Sequence, residues 1–365
     1  MKFHRRTLIK FAGAASALAL LPRSAAAAFA PVPDGWRRFE VTTRITLPAT
    51  GSPAQVWVPV PSVSEPDWMA PGVASWTTTA DQAELRTDPV SGARFVHAVW
   101  EASAATRVLD LSATVATQNR AADLSVAGAA DPLSAAERAL YTAATELIPV
   151  DGIVKETSDL ITAGARGDLE KARRIYDWIV ENTARNPETR GCGLGDVASM
   201  LALGDLTGKC ADLNALYVGL ARAAGLAARD VYGIRVAPSA FGYKSLGAGS
   251  SDVTKAQHCR AEVFLEGFGW VAVDPADVRK VMLEEPPKNL PLDHPLVADA
   301  RAALFGGWEG NWVGYNFAHD VPLPGSDQGP VPFLMYPQAE VDGARLDPLD
   351  YANSYYGITA REITP

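Results

Sequence analysis

The chain has 365 residues, of which 48% are hydrophobic, enough to build two units that each bury a core. Its formal charge is −9, from 42 acidic against 33 basic residues, which disfavours nucleic-acid backbones and anionic lipid surfaces as partners. No repeat or low-complexity tract is evident beyond an Ala-rich N-terminus.

That N-terminus, residues 1–28, reads as an export signal. Arg5 and Arg6 precede an apolar run from Phe11 to Leu21, and Ala25 to Ala28 supply the small residues a signal peptidase needs. Basic, apolar, then small is the order of a secretory signal, and the paired arginines point to the twin-arginine route. An N-terminal anchor is the alternative, but the apolar run is short for a bilayer, so stable membrane insertion is not expected. Loss of Lys2, Arg5, Arg6, Lys10 and Arg23 with the signal leaves a mature chain at −14, expected in the periplasm or outside the cell.

From residue 29 to about 122 the chain reads as an all-β, sandwich-like domain. Phe39, Val41, Thr43, Ile45 and Leu47 alternate with more polar neighbours, and Gln55–Val60, Phe95–Trp100 and Leu109–Val115 read as further strands. Residues 123–285 read as an α+β core. Ser134 and Glu137 form a capping-box pattern that opens a helix to about Ile148. An amphipathic helix spans Leu169 to Ala184 with Asp168 at its N-cap, and a second starts near Cys210 and ends at Gly225. Strands follow at Ala228–Val236, His258–Leu265 and Gly269–Asp274, with a Gly- and Ser-rich loop, Pro238 to Gln257, expected to move. The tail, residues 286–365, shows few clear elements and is expected to pack on the core.

Three residues carry chemistry. Cys210 at a helix start lies near the positive end of the dipole, which favours the thiolate, the nucleophilic form. His258 and Asp274 flank a hairpin whose turn falls around Glu266 and Gly267, so symmetric folding brings 258 opposite 274 within about one residue of register. An imidazole–carboxylate bond there would hold the ring in one tautomer. Each residue alone also fits a bland role: a buried thiol, a strand histidine, a turn aspartate before Pro275.

The stretch from Gly208 through Cys210 and Asp212 to Arg229, and that from His258 through Trp270 to Pro275, resemble the two halves of a transglutaminase-like core. The resemblance covers roughly Leu169 to Lys280. It implies the papain-like α+β fold, with Cys210 as nucleophile, His258 as general base then acid, and Asp274 as the orienting group. It departs from many relatives at Cys259 and Arg260, where they place a small residue and then Trp. The reaction implied is thiol-dependent acyl transfer on peptide or amide bonds of a protein or peptide substrate, ending in hydrolysis or amine transfer. The alternative is a catalytically inactive relative that binds a partner or serves envelope assembly.

No cofactor is expected, and a zinc site from Cys192, Cys210 and His258 lacks close Cys-x-x-Cys or His-x-x-x-His spacing. Three cysteines in an exported chain leave a Cys192–Cys259 disulfide behind the site, or isolated buried thiols, which needs fewer assumptions. The Cys210 backbone N–H is the expected oxyanion donor, with Trp178 and Asn182 as weaker candidates for a second. Trp308, Trp312, Tyr315 and Phe317 read as tail packing, Asp212 as a carboxylate serving the dipole, and Asp277 with Arg279 as a local salt-bridged turn. His97, His294 and His319 read as structural or surface residues.

Overall fold

The computed structural model describes residues 28–363, so the expected export signal lies outside the described residues except for Ala28. Six strands come first: β1 (Arg37–Leu47), β2 (Ala54–Val60), β3 (Met69–Thr78), β4 (Gln82–Thr87), β5 (Arg94–Trp100) and β6 (Arg107–Thr117). The alternation in β1 has the expected effect: Phe39, Val41, Thr43, Ile45 and Leu47 all face inward and are buried. β3 was not legible because Pro71 and Gly72 fall at a bulge where its pairing with β6 shifts register, and most of its residues stay partly exposed.

The helical part comprises α1 (Ala135–Thr142), α2 (Gly152–Thr162), α3 (Asp168–Asn182), α4 (Val197–Leu203) and α5 (Cys210–Ala223). Ser134 and Glu137 form the capping box, but α1 ends at Thr142, short of Ile148. Gly167 rather than Asp168 is the N-cap of α3, which puts Asp168 in the first turn. α2 opens on a glycine with no side-chain cap, which removes its start signal from the sequence. Every residue of α5 is buried, as expected for a helix that is apolar on most faces and runs through the centre of a core.

α5 packs on an antiparallel sheet of β7 (Ala228–Arg235), β8 (Gln257–Leu265), β9 (Gly269–Val273) and, later in the chain, β10 (Trp312–Asn316), in the order β9–β8–β7–β10. Helices α6 (Pro275–Glu284) and α7 (Pro295–Ala303) lie between β9 and β10. The architecture is therefore α+β, helices packed on an antiparallel sheet, with an N-terminal all-β region.

The tail is more ordered than its sequence suggests. Besides β10, it supplies β11 (Gln338–Val341), which pairs with β2, and β12 (Tyr356–Glu362), which pairs with β1. Trp308, Trp312 and Tyr315 are buried, as tail packing requires. A buried charge cluster ties the two regions together: Glu262 on β8 pairs with Arg120 and, at 2.6 Å, with Arg229, whose other arm meets Glu65 at 2.6 Å.

The loop from Pro238 to Gln257 is pinned rather than loose. Glu285 accepts the backbone N–H groups of Lys244 at 3.0 Å and Ser245 at 2.8 Å, and Arg235 and Asn311 both donate to the Leu246 carbonyl. Tyr243, Leu246, Ala248 and Val253 are buried. Its small residues allow close packing here, which composition alone reads as mobility.

Candidate active site

Cys210 is the first residue of α5. The turn before it is organised by Asp212, whose Oδ2 accepts the Lys209 N–H at 2.9 Å while Oδ1 accepts those of Leu194 and Gly195 at 3.0 and 2.9 Å. Asp212 thus caps the helix, as expected, and also folds the Gly193–Gly195 loop around it. Only glycine fits at 193: φ is +95°, and a Cβ would lie 1.9 Å from Asp212 Oδ2. The Ala211 N–H donates to the Cys192 carbonyl at 2.8 Å, which anchors Cys192 beside the helix start. The Cys210 N–H, in the first turn, has no partner within the helix and is free for a ligand.

His258 is in β8, and its Nε2 meets Asp274 Oδ2 at 2.8 Å. The observed register pairs Ala261 with Val273, so Asp274 projects past the strand end opposite Arg260 and reaches the imidazole diagonally. Asp274 is also the N-cap of α6, accepting the Asp277 N–H at 3.0 Å, with Pro275 at the first helical position. Asn214, one turn beyond Cys210, donates to Asp274 Oδ1 at 3.3 Å and to the Cys259 carbonyl at 2.8 Å. Trp312 Nε1 donates to the His258 carbonyl at 2.9 Å. With Nε2 turned to the carboxylates, Nδ1 is the ring nitrogen left to face the cleft that Cys210 also lines.

Asp277 belongs to the site, which corrects its reading as part of a local turn. Its Oδ2 lies 3.3 Å from His258 Nε2 and its Oδ1 is 2.6 Å from Arg235. Arg279 instead donates to the Val180 carbonyl. The i, i+3 spacing of Asp274 and Asp277 at a helix start was the sequence signal for two carboxylates on one face. Arg260, at the position where the family pattern is broken, is buried between Trp308 and Trp312, with its Nε 3.6 Å from Asp274.

The electrostatics favour a thiolate–imidazolium pair. Burial and Arg235 oppose protonation of His258, but Asp277 and Asp274 outweigh them and raise its pKa to about 9. Burial likewise opposes ionisation of Cys210, but hydrogen bonds involving Cys192, Cys259 and His258 hold its thiol well below the ordinary range. A hydrogen bond to Cys210 pushes Cys192 up, and burial pushes Cys259 up. Burial and Asp277 raise Asp274, while Arg235 and His258 overcome burial to keep Asp277 ionised.

All three cysteines are free thiols, with sulfur atoms within 4.8 Å of one another. Cys259 therefore lies beside Cys210 rather than behind it. The thiols are soft donors, whereas His258, Asp274 and Asp277, also within 4.8 Å of one another, are spent on their mutual bonds and on Arg235. Neither Trp178 nor Asn182 lines the cleft, and the Asn182 amide donates to the Trp178 carbonyl. His97 stacks on Trp57, His294 caps α7, and His319 sits 3.3 Å from Asp230, and none of the three lines the cleft at Cys210.

Cys210 and His258 open onto a cleft of about 420 Å³, also lined by Cys192, Tyr336 and Tyr351. The Tyr336 hydroxyl accepts the Cys192 N–H at 2.9 Å. A larger groove of about 870 Å³, between Arg166–Glu170 and Leu265–Phe268, holds none of the triad residues. Chemistry, not size, selects the smaller cleft. Among the described residues no helix is long and apolar enough to cross a membrane.

Known proteins resemble the chain in sequence and in fold. Residues 155–275 match the family described as the transglutaminase-like superfamily. A Haemophilus influenzae protein described as uncharacterized is 39% identical over 288 residues, covering 74% of this chain and 77% of its own. A Cytophaga hutchinsonii structure described as a candidate cysteine protease superposes with a TM-score of 0.50 at 17% identity, covering 90% of this chain and 99% of that one. The periplasmic domain of TgpA from Pseudomonas aeruginosa gives 0.36 at 14% identity, over 67% and 88% of the two chains. From its matched core, its relative and its fold, this chain belongs to the transglutaminase-like superfamily.

Proposed function

We propose that the chain is an exported thiol-dependent acyl-transfer enzyme acting on peptide or amide bonds. The observation that carries this reading is the His258–Asp274 bond of 2.8 Å beside a cysteine at the start of a buried helix. Cys210 thiolate adds to the carbonyl carbon, and the Cys210 N–H donates a hydrogen bond to the developing oxyanion. The C–N bond then breaks, His258 gives its proton to the departing amine, and a thioester remains on Cys210. Water or a second amine attacks the thioester while neutral His258 takes its proton, which returns the thiolate–imidazolium pair. Asp274 keeps Nε2 as the far nitrogen of the ring throughout. The N-terminal pattern supports twin-arginine export to the periplasm or beyond.

The test is the pH dependence of iodoacetamide labelling at each cysteine, read by peptide mapping, in the wild type, His258→Ala and His258→Gln. The expected result is an apparent pKa for Cys210 well below the roughly 8.5 of a free thiol, rising in both variants, while Cys192 and Cys259 label slowly. The glutamine variant guards against misfolding, because removing the ring leaves Asp274 and Asp277 buried against each other. Slow labelling of Cys210 that is identical with and without His258 would overturn the reading.

A further inference from the structure

The cleft at Cys210 has a charge opposite to that of the chain. Five cationic side chains line it, Arg185, Lys209, Arg235, Lys255 and Lys280, against the single carboxylate of Asp252, in a protein whose formal charge is −9. Two of the five are neutralised locally: Arg235 by Asp277 at 2.6 Å, and Arg185 by Glu284. The lysines are not. Lys209 Nζ donates to the Thr189 carbonyl at 2.7 Å, and Lys255 lies over the Tyr351 ring at 4.6 Å, both neutral partners. Lys280 reaches a carboxylate only at 3.9 Å, and that carboxylate, Glu284, is already held by Arg185. Burial first, then Arg235 and Arg185, lower the Lys280 pKa to about 8 against the opposing pull of Asp277 and Glu284, so the side chain carries its charge below that pH.

A second observation concerns neutral donors. Gln257 also lines the cleft and is 8% exposed, and its side-chain Nε2 is buried with no partner among the described residues. An unspent buried donor costs stability unless something accepts from it. Donors and positive charge in one cleft are what a bound anion needs.

We infer that the cleft takes an acidic acyl substrate, a peptide or amide carrying a carboxylate within one or two residues of the bond that Cys210 attacks. The inference rests on the acyl-transfer reading for that bond, and on the lysines and Gln257 for the charge. Attraction is local, because the acidic remainder of the surface opposes anions at longer range and salt screens both effects over about 8–10 Å.

Iodoacetate and iodoacetamide test this without a known substrate. In both, the Cys210 sulfur–carbon bond forms as the carbon–iodine bond breaks and iodide leaves; only iodoacetate brings a carboxylate. The measurement is the ratio of their second-order rate constants at Cys210, divided by the same ratio for glutathione, at low salt and at high salt. The expected ratio exceeds glutathione's by about tenfold at low salt and falls severalfold at high salt. It also falls severalfold in Lys280→Met and in Lys255→Gln, the second being an exposed position chosen in case the first fails to fold. His258 imidazolium raises the ratio in any such pair, so the lysine substitutions assign the preference to the cleft. An ordinary ratio, or a raised one that both substitutions leave intact, would overturn the inference. A normal thiol pKa at Cys210 would instead strike the acyl-transfer reading, which the neutral reagent reports separately.

Discussion

Asp277→Asn tests the proposition that His258 depends on a carboxylate outside the expected triad. At 3.3 Å the Asp277 charge interacts with an imidazolium by about 5 kcal/mol at an effective dielectric near 20. That is an upper bound of roughly 3–4 pKa units, because Arg235 at 2.6 Å already engages the same carboxylate. A loss of about 1–2 units is the working expectation, and the Arg235 charge, no longer compensated, acts in the same direction. The His258 pKa, about 9 in the wild type, should therefore fall to roughly 7–8. Side-chain NMR titration of isotopically labelled histidine measures it directly, since the chain has only five histidines and His258→Gln assigns the signal. The imidazolium, and with it the proton for the leaving amine, exists below this pKa. The alkaline limb of any acyl-transfer activity should therefore move down with the titration. A folded variant with an unmoved His258 midpoint would refute the reasoning and return the raised pKa to Asp274 alone.

Two further substitutions probe the supports of the site. Gly193→Ala forces both a positive φ and a Cβ onto Asp212, so it should lower the melting temperature and displace the start of α5. Slower iodoacetamide labelling of Cys210 in the folded fraction would register that displacement. Glu262→Ala removes the carboxylate partner of buried Arg120 and leaves Arg229 with Glu65 alone, so it should destabilise the protein by about 3–5 kcal/mol in a denaturant titration.

The three residues of the proposed triad were legible as candidates because each carries a local signal. Cys210 opens an apolar helical run, and His258 and Asp274 flank a hairpin with a recognisable turn. The N-terminal strands were legible where side chains alternate, as in β1, and illegible where a bulge breaks the alternation, as in β3. What the sequence concealed depends on contacts distant along the chain. Trp312 supports His258 from a strand 54 residues away, and Tyr336 meets Cys192 across 144 residues. Cys192 itself sits in a glycine-rich loop whose path is set by Asp212, so its approach to Cys210 has no periodic signature. The charge of the cleft is equally hidden, since its lysines come from three separate segments of a chain that is acidic overall.

The pairing of β12 with β1 also orders events in time. Ile358 and Ala360 on that strand are hydrogen-bonded to Val253 and Ser251, beside Asp252 and Lys255 of the cleft wall. Cys210, His258 and Asp274 all leave the ribosome before the strand that fastens this wall to the opening strand of the protein. A chain stopped before Tyr356 would carry the whole triad yet leave β1 as a bare sheet edge, open to pairing with another molecule. Reactive thiol and finished cleft are thus separated during synthesis, and the second waits for the last strand.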